Sequence, residues 1–419
     1  AITQQPQGGI ICQDGSLVLS VTTTGHQLTY EWKRGAQVVG TNAATYTATQ
    51  PGDYTVTVSG SCGMVTSNVA TVTQPITTIT SEPAGGGICA GQTRLLTVAA
   101  TGQEPLTYQW YKNGLTLNGA ITNEVIADDT ATYNVIVTGF CGSDTSALAV
   151  VTLNPATQIR TQPSPQSITY GENTHFDVDA IGTGALRYRW EASSDGSSWN
   201  AIADDDIFST TTLAAVNVSG PSVAMSGLKL KCTVTGLCDA ATTDEVTLTI
   251  NRAPLTVTAN NKTKIYGEAI PQFEFAYNGF VKNEKAADVV FGNPGLTTAA
   301  NQFSDVDEYD IIADSGSLTA ANYAFTFKKG KLTILPKDLD VVAADQSKVF
   351  GDSLPIFTAI YNGFVKNGDS TLSDVQGEPV FETDADQYSD VADYYIEPKR
   401  GGLQSRNYAL QFRRGKLVV

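Results

Sequence analysis

Two histidines, His26 and His175, are the only imidazoles in the 419-residue sequence. They fall in different predicted domains, and each reads as an exposed strand or loop residue. A zinc site or a Ser-His-Asp triad needs side chains that converge, so neither has much to draw on here. Gly330-Lys331 and Gly415-Lys416 lack the upstream glycines of a phosphate loop, and Gly182-Thr183-Gly184 reads as a turn. Paired carboxylates for glycoside hydrolysis leave no sequence signature, but repeated units of under about 100 residues rarely hold the cleft that chemistry requires. No catalytic residue is assigned, and the expectation is a protein that is not an enzyme.

Three acidic clusters could hold calcium at domain edges: Asp204-Asp205-Asp206, Asp305 to Asp310, and Ser389 to Tyr394. None has the spaced acids and central glycine of an EF-hand loop. The preferred reading is a turn before a strand with solvated carboxylates. Asp204, Asp205 and Asp206 are the calcium candidates if a cation is held; no other cofactor is expected. Trp199, in Ser197-Ser198-Trp199-Asn200, is the one tryptophan outside the repeated positions described below, and the one candidate glycan contact.

The cysteines carry more. Cys12 and Cys89 each lie early in a repeated unit, Cys62 and Cys141 each late, at near-equal spacing. That pattern predicts Cys12–Cys62 and Cys89–Cys141 bridges, with loops of about 50 residues contributing roughly 4 kcal/mol each. It also predicts an oxidising, extracellular compartment. In the third unit Cys238 matches Cys62 and Cys141, but the position of its expected partner is Thr169. Cys232 matches the inward positions Val56 and Val135. A Cys232–Cys238 bridge needs a turn at Gly236; the rival reading is a buried Cys232 with an exposed Cys238.

The elements that carry these residues repeat. Ile265-Tyr266-Gly267-Glu268 and Tyr277-Asn278-Gly279-Phe280-Val281-Lys282-Asn283 return as Val349-Phe350-Gly351-Asp352 and Tyr361-Asn362-Gly363-Phe364-Val365-Lys366-Asn367. Asn322-Tyr323-Ala324-Phe325-Thr326-Phe327 returns as Asn407-Tyr408-Ala409-Leu410-Gln411-Phe412, and Gly330-Lys331-Leu332 as Gly415-Lys416-Leu417. Upstream, Trp32, Trp110 and Trp190 each sit mid-unit, and each is followed by a strand such as Asp53-Tyr54-Thr55-Val56-Thr57-Val58. Period-two alternation places Tyr54, Val56 and Val58 on one face and threonines on the other. Prolines at Pro75, Pro155, Pro254 and Pro336 mark the boundaries. The domains read as 1–74, 75–154, 155–252, 253–335 and 336–419. Short helices are expected at 283–289 and 367–375.

A mid-unit tryptophan followed by a late Tyr-x-Val strand resembles the immunoglobulin sandwich, and Pro51 to Tyr54 and Asp129 to Tyr133 resemble its tyrosine corner. The first three units are similar to Bacteroidetes-type surface immunoglobulin-like modules. The spaced segments of 253–419 resemble the bacterial MBG repeat family. That resemblance implies a mostly-β, grasp-like module found in tandem in very large secreted surface proteins, and a role in adhesins, gliding-type adhesins among them, or in enzyme stalks.

The net charge is −16, which disfavours nucleic acid and anionic lipid as partners. No apolar run reaches the roughly 20 residues of a membrane span. No signal peptide opens the sequence, and both ends read as cut, so a piece of something longer is expected. The fold expectation is therefore all-β: a linear, monomeric, rod-like array of three immunoglobulin-like sandwiches and two MBG-type modules. The functional expectation is a spacer or adhesive stalk of a bacterial surface adhesin, extracellular, with an unknown surface, glycan or protein ligand. The alternatives are the accessory stalk of a secreted polysaccharide-degrading enzyme and a carbohydrate-binding module array.

Overall fold

Valine- and threonine-rich runs broken by Gly, Asn and Pro favour short pleated strands over helices, and the computed structural model is built of them. It describes residues 1–365 and 374–419. The described residues form two compact units. One comprises Ala1–Gln162, Val178–Tyr188 and Cys232–Thr243; the other comprises Pro163–Asp177, Arg189–Lys231 and Asp244–Val419. The fold class is all-β, as the composition predicts.

In the first unit the first two sandwiches have one plan. Gly9–Ile10, Ala70–Thr73, Gly52–Gly60, Thr29–Arg34 and Gln37–Thr41 lie side by side in that order, with Gly63–Thr66 also on Gly52–Gly60. Leu17–Ser20 pairs with Thr45–Ala48, and Ile2–Gln4 with Thr22–Thr23. The second sandwich repeats the larger sheet with Gly86–Ile88, Ala149–Leu153, Ala131–Gly139, Thr107–Lys112 and Leu115–Thr116. Tyr54, Val56 and Val58 are buried while Thr55 and Thr57 turn outward, as the alternation requires. Trp32 and Trp110 are fully buried, and each indole N–H donates to a main-chain carbonyl, of Ala43 and Thr122, at 2.9 Å. The Tyr54 hydroxyl donates to Gln50 O at 2.7 Å, the tyrosine-corner contact four residues back.

The third sandwich contributes to both units. Its indole at Trp190 donates to Leu213 O at 3.0 Å. A buried hydroxyl recurs in all three sandwiches: Val56, Val135 and Cys232 each donate their amide to Ser67, Ser146 and Thr243 respectively, at 2.9–3.0 Å. Cys232 therefore occupies the inward position of Val56 and Val135, as the sequence register predicts.

In the second unit each of the two repeats of 253–419 carries a three-stranded and a four-stranded sheet. Phe275–Asn278, Ala253–Ala259 and Tyr323–Lys328 form the first; Lys262–Ile265, Gly330–Leu335, Glu308–Asp314 and Gly295–Thr298 form the second. The last module repeats this with Lys337–Ala343 central in one sheet and Gly415–Val418 in the other. A four-residue helix, Ala286–Val289, lies inside the expected 283–289. Residues 367–373 of the other expected helix lie outside the described residues, and Val375–Gln376 at its end is a strand.

Candidate functional site at the module joints

One structural device recurs in all five modules. A short edge strand runs parallel to the last strand of its own module, so both point to the exit end. Ile10 pairs with Thr73, Ile88 with Leu153, Thr169 with Asn251, Ile265 with Leu335 and Ser347 with Val418. The chain then makes a tight turn. The amides of Gly15, Gln92, Glu172, Glu268 and Asp352 donate to the carbonyls of Cys12, Cys89, Thr169, Ile265 and Val349 at 2.8–3.1 Å. The third residue of each turn has positive φ: 62° at Asp14, 74° at Gly91, 100° at Gly171, 83° at Gly267 and 89° at Gly351. A turn of this kind needs that left-handed residue, which explains the glycines. The turn thus stands where one module hands over to the next.

In the first two sandwiches the turn carries a cysteine, and the structure corrects the expected pairing. Cys12 is bonded to Cys141 with Cα atoms 4.9 Å apart, and Cys89 to Cys238 with Cα atoms 5.4 Å apart. Neither bridge uses Cys62, which is exposed, or Cys232, which is buried. The expected Cys12–Cys62 and Cys89–Cys141 bridges fail on reach. Cys12 lies beside the start of Gly52–Gly60, whereas Cys62 lies beyond its end, and a nine-residue strand spans roughly 27 Å. A disulfide tolerates at most about 7 Å between Cα atoms. Cys232–Cys238 is likewise not formed, because Cys232 points into its sandwich while Cys238 sits on a turn and is bonded elsewhere. Each bridge joins the exit turn of one sandwich to a hairpin turn of the next. Within the third sandwich Thr157 holds the hairpin turn that carries Cys238, its hydroxyl lying 3.2 and 3.0 Å from Cys238 O and Asp239 O.

In the second unit the turns that begin at Thr169 and Ile265 have no cysteine and carry Tyr-Gly as their second and third residues. Tyr170 meets Tyr323 edge to face with centroids 5.7 Å apart, and Tyr266 meets Tyr408 in the same way at 5.5 Å. Phe280 and Phe364 stack edge-on against Tyr323 and Tyr408 at 5.6 and 5.4 Å. The two tyrosine hydroxyls accept from the amides of Val281 and Val365 at 3.1 and 2.9 Å. Asn322 and Asn407 accept from the amides of Val223 and Val306 at 3.1 and 2.9 Å. A side chain at Gly171 would run into Val281, and one at Gly267 into Val365. Glycine is required here for approach as well as for φ. At the second of these joints Arg406 also pairs with Asp305 at 2.7 Å.

The Tyr170 hydroxyl donates to Glu284 at 2.6 Å, and Lys282 Nζ lies 4.4 Å from its ring centroid. Burial, and secondly the Glu284 carboxylate, push the Tyr170 phenol up to about 12. Because the folded value lies above the ordinary value of about 10, this group's contribution to stability is complete below pH ~10. It is lost as pH rises from ~10 to ~12. The expected result is a phenolate absorbance titration whose late part is smaller in Tyr170→Phe, with wild type losing more stability than Tyr170→Phe over that alkaline range.

The other sequence candidates are placed elsewhere. Asp204 accepts from the amide and hydroxyl of Thr211 at 2.9 and 2.7 Å, and those bonds hold its carboxyl below the usual range. Asp205 accepts from the amides of Ile207 and Phe208 at 2.7 and 2.6 Å. Both oxygens so used organise a loop, and no group of three His, Cys, Asp or Glu side chains able to hold a metal ion occurs among the described residues. Asp305 and Asp390 sit in turns whose carbonyls accept from Tyr309 and Tyr394, four residues on, at 3.1 and 3.2 Å. Trp199 is half-buried with Lys231 Nζ 4.0 Å from its ring centroid. His175 faces Asp177 at 3.8 Å on the exposed face of a strand whose Phe176 is buried. Sequence reading missed the joint residues, although Tyr170-Gly171-Glu172 repeats Tyr266-Gly267-Glu268 letter for letter.

Residues 255–333 and 339–418 each match the family described as MBG domain (YGX type). No curated protein matches the chain. Among solved structures, the chain is similar to Sidekick-1 immunoglobulin domains 1–5, at 12% identity and a TM-score of 0.28, covering 100% of this chain and 98% of that one. It is also similar to an I-band fragment of titin, at 15% identity and a TM-score of 0.30, covering 60% of this chain and 98% of that one. Extracellular domains 3–5 of Drosophila OTK give 14% identity and a TM-score of 0.29, covering 60% of this chain and 96% of that one. The chain is an all-β protein of several modules, and two of them, 255–333 and 339–418, are similar to MBG domains.

Proposed function

We propose that this chain is a non-enzymatic, extracellular spacer within a bacterial surface adhesin, built of the five domains 1–74, 75–154, 155–252, 253–335 and 336–419. The observation that carries this reading is the joint. In each unit, successive modules are fastened by covalent or tightly packed contacts through the same turn, where a flexible linker would leave them free to swivel. Fastened joints suit a part whose task is to hold something at a distance. The disulfides support an oxidising compartment, and the −16 net charge suits a solvated surface that repels other acidic polymers.

Small-angle scattering tests the proposal. A globule of this length would have a radius of gyration of about 22 Å. The expected value is well above that for the oxidised chain, with a cross-section that matches one module. A value near the globular figure would overturn the spacer reading. A hydrolytic activity towards polysaccharide in the purified chain would overturn the non-enzymatic part of it.

A further inference from the structure

The last module presents the same exit turn as its neighbours, already set in the conformation that elsewhere receives a module. Lys348 Nζ donates to Asp352 O and Gln387 O at 3.2 and 3.1 Å, and Gln387 Nε2 donates to Gly351 O at 2.7 Å. In the preceding module Lys264 and Gln302 brace the turn identically, to Glu268 O and Gln302 O at 2.9 Å and to Gly267 O at 2.7 Å. The difference lies in what covers them. Tyr266 is 4% exposed and Phe350 is 56% exposed. Val349, next to it in the chain, and Val391, which occupies the place of Val306 in the repeat, are 71% and 79% exposed. A side chain built at Gly351 would meet nothing, whereas one at Gly267 would meet Val365.

We propose that the face formed by Val349, Phe350, Gly351 and Val391 is a docking site for a further MBG-type module. Its occupant is defined by the two joints already seen. It presents a Phe-Val pair to close on the glycine, and an Asn-Tyr pair whose ring packs on Phe350 and whose amide oxygen accepts from the amide of Val391. A second copy of this chain is not that occupant. Its own Phe280-Val281 with Asn322-Tyr323, and Phe364-Val365 with Asn407-Tyr408, already hold Tyr170-Gly171 and Tyr266-Gly267. Replacing Tyr by Phe at position 350 keeps the apolar ring; it is the partner's tyrosine hydroxyl, not this one, that makes the hydrogen bond to Val281 or Val365.

The test extends the full chain by a copy of residues 336–419 placed after Val419. Phe350→Ala and Val391→Asp, both at exposed positions, are expected to leave the 419-residue chain unchanged in melting and proteolysis. In the extended chain either is expected to speed proteolysis at the new joint by about tenfold or more, since burying a Phe side chain is worth more than one factor of ten. Equal behaviour of the variants in both chains would overturn the proposal. A photo-cross-linking residue in place of Phe350, in the protein made by its own source cells, identifies the natural occupant. An adduct to an Asn-Tyr-bearing module with unchanged chain mass places it on the same polypeptide; one with added mass places it on another. An adduct to an unrelated protein, or none, would overturn the proposal.

Discussion

Replacing Cys12 and Cys141 together by serine is expected to lower the unfolding free energy of the first two sandwiches by about 5 kcal/mol at most, the loop-closure value for a bridge spanning 129 residues. The Cys89 and Cys238 pair, spanning 149 residues, should behave alike. Cys62→Ser should be neutral, since that thiol is exposed and forms no disulfide. Denaturant midpoints check the energies, and peptide mapping after alkylation without reductant checks the connectivity. The map should link Cys12 to Cys141 and Cys89 to Cys238, label Cys62 in the native chain, and label Cys232 only after unfolding. A Cys12–Cys62 peptide would refute the exit-turn account of these joints.

The second large effect belongs to Tyr323. It is 1% exposed, packs against Tyr170 and Phe280, accepts from Val281 N, and donates to Glu284 at 2.5 Å. Tyr323→Ala removes a buried ring and should cost about 3–5 kcal/mol. Tyr323→Phe keeps the ring but leaves the Val281 amide without its acceptor, at a cost of about 1–3 kcal/mol. Tyr408 occupies the matching place in the last module, so its substitutions should show the same order of effects. Calorimetry of the single variants would reveal this; a neutral Tyr323→Ala would mean that the joint contributes nothing to holding the modules together.

Local pattern and long-range pairing divide what was legible in the sequence. Tyr54, Val56 and Val58 alternate with threonine, and that alone places them inward. Trp32, Trp110 and Trp190 recur at the middle of each unit, which places them in the core, and Cys232 follows Val56 and Val135 in register. The repeats of 253–419 are visible as words. The disulfide partners were not legible, because one early and one late cysteine per unit fit bridges within a unit as well as bridges between units. What decides between them is the parallel pairing of Gly9–Ile10 with Val72–Thr73, a two-residue contact between distant segments that leaves no periodic signal. The joint was half legible. Tyr170-Gly171-Glu172 stood in plain view, but it lies in a sandwich, and its twin lies in a module of another kind.

The staggered bridges also set how far the chain can be drawn out. Along the backbone, Cys12 and Cys238 are separated by 238 − 12 = 226 residues. Through the bridges, the shortest covalent route crosses from Cys12 to Cys141, runs backwards to Cys89, and crosses to Cys238. Only 141 − 89 = 52 residues lie on it. Fully unravelled, that route reaches roughly 170–190 Å, against roughly 750–810 Å for the reduced backbone. A pull on the two ends would go taut through the second sandwich alone, while most of the first and third lay slack beside it. The segment would behave as a leash of fixed length, one whose paid-out contour a reductant would increase about fourfold.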